Sequence, residues 1–174
     1  IENPDEWTED NITGWQFIST PYKNHNISYF TEDLEGDYDL YKFDGSNTEE
    51  WLNHKDKNID FEDVFVQGRG YLASYEMDTL FVTEGTSGNH VFNTLQTHTF
   101  DITNGSDASL ENFHLLGNPF TFNMKWEHVH ATDIVEGFSV VTKEGGYKYY
   151  ESGEIPVGDG FFVKTTSENA TFVY

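Results

Sequence analysis

The chain reads one short script twice. Gly14–Tyr22 runs Gly-Trp-Gln-Phe-Ile-Ser-Thr-Pro-Tyr, and 98 residues later Asn112–Phe120 runs Asn-Phe-His-Leu-Leu-Gly-Asn-Pro-Phe. Trp15 falls on Phe113, Phe17 on Leu115, Ile18 on Leu116, Pro21 on Pro119 and Tyr22 on Phe120. The same offset carries Leu40 onto Phe138, Phe43 onto Val141 and Trp51-Leu52 onto Tyr149-Tyr150. Gly68-Arg69-Gly70-Tyr71-Leu72 is answered by Gly158-Asp159-Gly160-Phe161-Phe162, eight residues tighter. Each half closes on a similar phrase, Thr79-Leu80-Phe81-Val82 and Thr171-Phe172-Val173-Tyr174. Repeated large apolar residues and glycines specify how a scaffold packs. They say nothing of how a reaction would run.

Within each copy the apolar residues alternate with a period of two, the signature of strands. Trp15, Phe17 and Ser19 point one way, Gln16 and Ile18 the other. Further strands are expected at Leu40–Phe43, Tyr71–Tyr75, Leu80–Thr83, Thr97–Ile102, Phe113–Leu116, Phe138–Thr142, Tyr147–Tyr150, Gly160–Thr165 and Thr171–Tyr174. All are rich in β-branched and aromatic residues and bounded by Gly, Asn and Asp. Glu144-Gly145-Gly146 reads as a hairpin turn, because glycine supplies the positive φ such turns need. Asp44-Gly45-Ser46-Asn47 is its counterpart. Glu49–Lys57 is expected to form a short helical turn. The fold class is therefore all-β: a β-sandwich built from two homologous lobes with a pseudo-two-fold internal repeat. The division is an N-terminal extension over 1–13, a first lobe over 14–84, a connecting segment over 85–111 and a second lobe over 112–174. The least ordered stretches are expected at Ile1–Thr13 and Gly85–Asn89, with a loop at Asn104–Ser109.

Composition narrows the partners. A chain of 174 residues can bury a sizeable core, and aromatics make up 17% of it. Each buried ring removes roughly 150–250 Å² from water. The net charge is -22, with Arg69 the one arginine. Nucleic acid and anionic membranes are poor partners, since both need a basic patch. With no cysteine, disulfides and thiolate chemistry are excluded. No apolar run approaches the ~20 residues needed to span a bilayer. No leader pattern is read, and Ile1 and the strand-like end at Tyr174 mark the chain, on this reading, as a piece of something longer.

These phrases resemble a β-rich repeat module of secreted and surface proteins of the Bacteroidota. That module carries a Gly-Trp-x-Leu-Ile-x-Asn-Pro-aromatic phrase, a Tyr-x-aromatic-Asp phrase and a Gly-x-Gly-aromatic-apolar-Val phrase. Gly14–Tyr22, Asp39–Gly45 and Gly68–Ser74 match in the first half. His114–Phe120, Phe138–Tyr147 and Val157–Thr165 match in the second. The resemblance covers about Gly14–Tyr174. It implies export, often by the type IX route, and a stalk-like or adhesin-like place beside neighbouring domains of a larger chain. It supplies no catalytic residues.

The phrases also have plain physical readings. Pro21 and Pro119 end strands, because proline donates no ladder hydrogen bond. Gly68/Gly70 and Gly158/Gly160 make a tight bend into a core strand where a Cβ would clash. As a dinucleotide fingerprint the pair lacks its third glycine and following helix.

Four groups are candidates for chemistry. His128 and His130, two apart, would face one side of a strand, which suits zinc or copper, with Asp133 or Glu127 adding an oxygen. The competing reading is two surface histidines on a loop. Asp33, Glu35, Asp37 and Asp39 form an acidic run of the kind that binds calcium, the candidate cofactor, though without EF-hand spacing. The competing reading is solvated surface charge. Trp51, Trp126, Tyr149 and Tyr150, with Tyr147, lie near loops and could stack on sugar rings; ordinary packing competes. Among 31 acidic residues some pair will stand at glycosidase distance by chance, and no Gly-x-Ser-x-Gly nucleophile motif occurs. Asn11, Asn26, Asn104 and Asn169 fit the N-glycosylation pattern, and Asp78-Thr79-Leu80 looks like an O-glycosylation acceptor of the Bacteroidota. The expectation is a non-catalytic structural or adhesive module of a bacterial secreted or cell-surface protein. The alternative is a carbohydrate-binding module stabilised by calcium.

Overall fold

The computed structural model describes residues 14–22, 24–31, 38–45, 47–75, 97–99, 110–142, 145–167 and 170–174. The first half contains β1 (Gln16–Ile18), β2 (His25–Asn26), a single helical turn α1 (Ser28–Thr31), β3 (Tyr38–Phe43), β4 (Trp51–Asn53), β5 (Val64–Phe65) and β6 (Tyr71–Tyr75). β7 (Thr97–Thr99) follows. The second half contains β8 (Phe113–Gly117), β9 (Met124–Lys125), a 3-10 turn at Trp126–His128, β10 (His130–Thr132), β11 (Phe138–Val141), β12 (Tyr147–Tyr150), β13 (Glu154–Ile155), β14 (Gly160–Lys164) and β15 (Thr171–Val173). Every pairing is antiparallel. The fold is all-β and sandwich-like.

The two four-stranded sheets carry their strands in matching order, β1-β6-β3-β4 and β8-β14-β11-β12. The two-stranded ribbons β2-β5 and β9-β13 match as well. β15 lies between β10 and β7 in a three-stranded sheet, so the expected connecting segment lends a strand to the second half. The expected strand at 80–83 and the loops at 1–13, 85–89 and 104–109 lie outside the described residues.

Alternation places each side chain. In β1, Phe17 enters a cluster with Leu115 and Phe162, while Ile18 enters one with Leu40, Phe65 and Tyr71. In β14, Phe162 faces the first cluster, while Phe161 and Val163 face another with Trp126, Phe138 and Phe172. Each central strand is therefore buried on both faces. That is why Tyr71-Leu72-Ala73 and Phe161-Phe162-Val163 are unbroken apolar runs.

Contacts between the halves come in matched pairs. Ile18 bridges Asp159, and Leu116 bridges Arg69. Ser19 N–H donates to Gly158 O at 2.7 Å, and Gly117 N–H donates to Gly68 O at 2.9 Å. Gly68 and Gly158 take φ of +83° and +84°, which turns their carbonyls toward the opposite half. Gly70 then passes so close to β8 that a Cβ would stand 2.5 Å from Leu116 O. The Gly-x-Gly phrases thus serve backbone approach between halves. The Gln67 amide donates to both Pro21 O (2.7 Å) and Pro119 O (3.1 Å), and the Tyr174 hydroxyl donates to Gly68 O (2.9 Å).

Two expectations are corrected. Glu49–Lys57 contains β4 instead of a helical turn. Trp51 pairs with Phe43 and Asn53 with Tyr41, so the edge of the sheet claims this segment. The uninterrupted 98-residue offset also fails at the hairpins. Phe43↔Trp51 in the first half corresponds to Val141↔Tyr147 in the second. The turn between partners is two residues shorter in the second half. Structurally, Trp51 therefore matches Tyr147, and Asn53 matches Tyr149.

Candidate functional site

The β11-β12 hairpin presents the most exposed aromatic residues of the sheets. Its turn closes with Gly145 N–H donating to Thr142 O at 2.9 Å and Thr142 N–H donating to Gly146 O at 2.7 Å. β12 is an edge strand, so its side chains meet neighbours on one flank only. Tyr147 and Tyr149 stand on one face, roughly 7 Å apart along the strand, and each is 50% exposed. Tyr147 leans on the shared core, its ring 5.8 Å from that of Phe162 and 6.3 Å from that of Phe17. Burial, helped by the Glu50 carboxylate, holds its phenol above the ordinary tyrosine range. Tyr149 lies over Gly137, and its hydroxyl donates to Glu136 O. A Cβ on Gly137 would stand 2.6 Å from the Tyr149 hydroxyl oxygen. Gly137 also has φ of +94°, so the position favours glycine twice over. The Tyr149 ring is thereby fixed in direction while half of the residue stays open to water.

The other expected platform residues are committed elsewhere. Trp126 is 9% exposed and packs against Phe138 at 5.1 Å and Phe172 at 5.9 Å. Its 3-10 turn drives the indole inward, so Trp126 is corrected from platform to core. Trp51 is half-buried against Phe17, Phe43 and Phe162. Tyr150 points to the opposite face from Tyr149, stacks on Phe138 at 5.5 Å and carries the Lys148 ammonium 4.8 Å from its ring centroid. Sequence reasoning underweighted Tyr147 and missed Phe122, which is 61% exposed and stacks on Phe120 at 4.9 Å. The signal for Phe122 was its place just beyond the strand-ending Pro119.

The described metal candidates, His128, His130 and Asp39, belong to no group of three or more such side chains. His128 ends the 3-10 turn and His130 begins β10, so no continuous strand aligns their imidazoles as expected. Both are exposed. Asp39 is buried in β3 and accepts a hydrogen bond from Asn53 Nδ2 at 3.0 Å. Asp33, Glu35 and Asp37 lie outside the described residues. Among the described residues no group of three or more His, Asp or Glu side chains stands close enough to hold a metal ion.

Three further groups carry electrostatic weight. Glu62 lies 2.5 Å from Arg69 and 3.5 Å from Lys42. Burial alone would raise its carboxyl, but a backbone hydrogen bond and the two cations hold it below the usual range. Burial pushes Asp159 up to about 6 and His114 down to about 4. Asp159 bridges Ile18 at the seam, and Arg69, the partner of Glu62, bridges Leu116 there. No family model, no curated protein and no solved structure matches this chain.

Proposed function

We propose that this chain is a non-catalytic structural or adhesive module of a bacterial secreted or cell-surface protein. The observation that carries the reading is the seam between halves. Backbone hydrogen bonds, a bridging amide and a shared aromatic cluster join two similar sheets into one unit. A unit joined this way transmits force and holds its ends at a fixed spacing, since repeats that share a core cannot part without exposing it. The similar halves derive, on this reading, from one duplicated sequence. The resemblance to Bacteroidota repeat modules supports export and attachment to neighbouring domains. Removing the module from its parent protein is expected to weaken surface display or attachment. Display and attachment at full strength after the deletion would sink the proposal.

A second reading is favoured by the fixed, half-open Tyr149 ring. On it the module binds carbohydrate. Calcium remains the candidate stabiliser, through the acidic run that ends at Asp39. A ligand of the native state must raise the melting temperature, so equal melting in calcium and in chelator would remove calcium from the account.

A further inference from the structure

We infer that the face of β12 bearing Tyr147 and Tyr149 is a binding platform for an uncharged, equatorially substituted glycan chain. The inference rests on the carbohydrate-binding reading and gives it a place and a ligand class. Exposure alone would be weak ground, since single exposed apolar residues are common on any surface. Here the ring is held. The Tyr149 hydroxyl is tied to Glu136 O, and Gly137 leaves the space in which the phenol lies. The matching place in the first half carries no ring: Asp39 and Asn53 stand there and bond to each other at 3.0 Å. A large rigid side chain fixed before binding loses little conformational entropy on contact, which is how tyrosine serves at recognition surfaces.

The ligand class follows from shape and charge. A tyrosine face is flat and apolar with a polar tip. The matching surface is flat and apolar with hydroxyls at its rim, as an all-equatorial pyranose presents it. Exposed Glu136 and Glu151 flank Tyr149, and Glu50 lies beside Tyr147. Lys148 is turned to Tyr150 on the opposite face. With a net charge of -22, the molecule repels polyanions. An uncharged chain meets the flat apolar rings without that repulsion, and two rings along one strand suit a linear one.

The test is a binding screen of the purified chain against neutral β-linked oligosaccharides (cello-, xylo- and chito-oligomers) and anionic ones (alginate and heparin oligomers). Calorimetry follows on any hit, with Tyr149→Ala, Tyr147→Ala, Tyr149→Phe and Phe122→Ala. Near-ultraviolet circular dichroism checks that each variant is folded. The expected result is binding of a neutral oligomer, weakened at least tenfold by Tyr149→Ala and by Tyr147→Ala. Tyr149→Phe, which keeps the ring, and Phe122→Ala, whose ring stacks on Phe120 and lies on no strand of that sheet, are expected to change it less than threefold. Neutral binding untouched by Tyr149→Ala would overturn the site and leave the carbohydrate reading standing. Binding of the anionic oligomers alone would overturn the ligand class. Silence toward every oligomer would overturn both the platform and the reading beneath it.

Discussion

The two halves share a strand order yet solve the same positions with different chemistry. Position 20 in the first half and position 118 in the second both follow a core strand and precede a Pro-aromatic pair. Thr20 meets the need modestly: its hydroxyl accepts from Tyr22 N–H at 3.2 Å and pairs with His25 at 3.0 Å. Asn118 does far more. Its Oδ1 accepts from Phe120 N–H at 2.9 Å, and its Nδ2 reaches Phe122 O, Ile155 O and Pro156 O at 2.9–3.1 Å. Gln67 shows another kind of asymmetry. One amide near the seam serves both prolines, so its counterpart Val157 has no such task and is 38% exposed. Similar halves thus need not be equal halves. A group that reaches both halves, as Gln67 does, is needed once, and groups that serve one half are free to diverge.

The largest test asks whether the halves are one folding unit. Phe162 is 1% exposed and touches rings from both sides: Phe17 and Phe43 at 4.9 Å, Phe113 at 5.7 Å and Tyr147 at 5.8 Å. Phe162→Ala is expected to cost about 3–5 kcal/mol, the usual range for emptying a buried phenylalanine site. Residue-resolved amide exchange should show β1 and β14 losing protection together. Protection lost in β14 and kept in β1 would mean two separately stable halves.

The next test sets Asn118 against Thr20. Asn118→Ala strands buried carbonyls and one amide, and should cost about 2–4 kcal/mol from several lost bonds. Thr20→Val keeps the shape and forfeits weaker bonds, so about 1 kcal/mol is expected. Urea midpoints of the two variants give the comparison directly. Equal losses would show that the Asn118 contacts add nothing beyond what threonine supplies.

How much of this was readable beforehand follows from the range of each interaction. The strands around Phe17, Leu40, Tyr71, Phe138 and Phe161 were legible because alternation is local. The Gly-x-Gly phrases were legible as bends in which a Cβ would clash, but the opposite half that Gly70 approaches was not. The two-residue shift of the hairpin was not legible. An aromatic pair at the expected offset masked it, and only the ladder reveals that Trp51 stands where Tyr147 does. The fate of Trp126 turned on a 3-10 turn of one residue pattern, too short to leave a period. Tyr149 was legible as a candidate from composition, but its orientation depends on Gly137, a partner twelve residues away whose role appears only when the strands pair.

A subtler contrast lies in the second glycines of the two phrases. A Cβ on Gly70 would meet Leu116 O at 2.5 Å and Leu115 Cγ at 2.8 Å. On Gly160 the nearest neighbours would be Phe17 Cβ at 3.1 Å and two carbonyl oxygens at 3.2 Å. Gly70→Ala must push backbone and should cost about 1–3 kcal/mol, as overpacking does. Gly160→Ala needs shifts of a few tenths of an ångström and should cost less than Gly70→Ala in the same denaturant titration. The reverse order would show that β14 is the more rigid of the two strands.

The smallest effect separates the halves by pH. Arg69 and Asp159 hold matching places, and burial pushes the Asp159 carboxyl up to about 6. A carboxyl raised in the folded state favours the protonated form there. Its contribution is therefore full below the unfolded value of about 4 and is lost as pH rises through about 6. Burial acts oppositely on His114, lowered to about 4. That group favours the neutral form, so its contribution is present above about 6.5 and is lost as pH falls toward about 4. The two groups therefore act in opposite senses over the same window, so their contributions largely cancel between about pH 4 and 6.5, and each appears only when the other is removed. Asp159→Asn should remove the Asp159 loss, leaving the rise with pH that His114 supplies, and raise stability at pH 8 by about 1–2 kcal/mol after discounting for residual exposure, with little change at pH 3. His114→Gln should remove that rise and expose the Asp159 decline as pH goes up through about 6. If Asp159→Asn left stability at pH 8 unchanged, the carboxylate at the seam would have to be solvated, and the two halves would be joined there more loosely than the Ser19–Gly158 and Gly117–Gly68 hydrogen bonds imply.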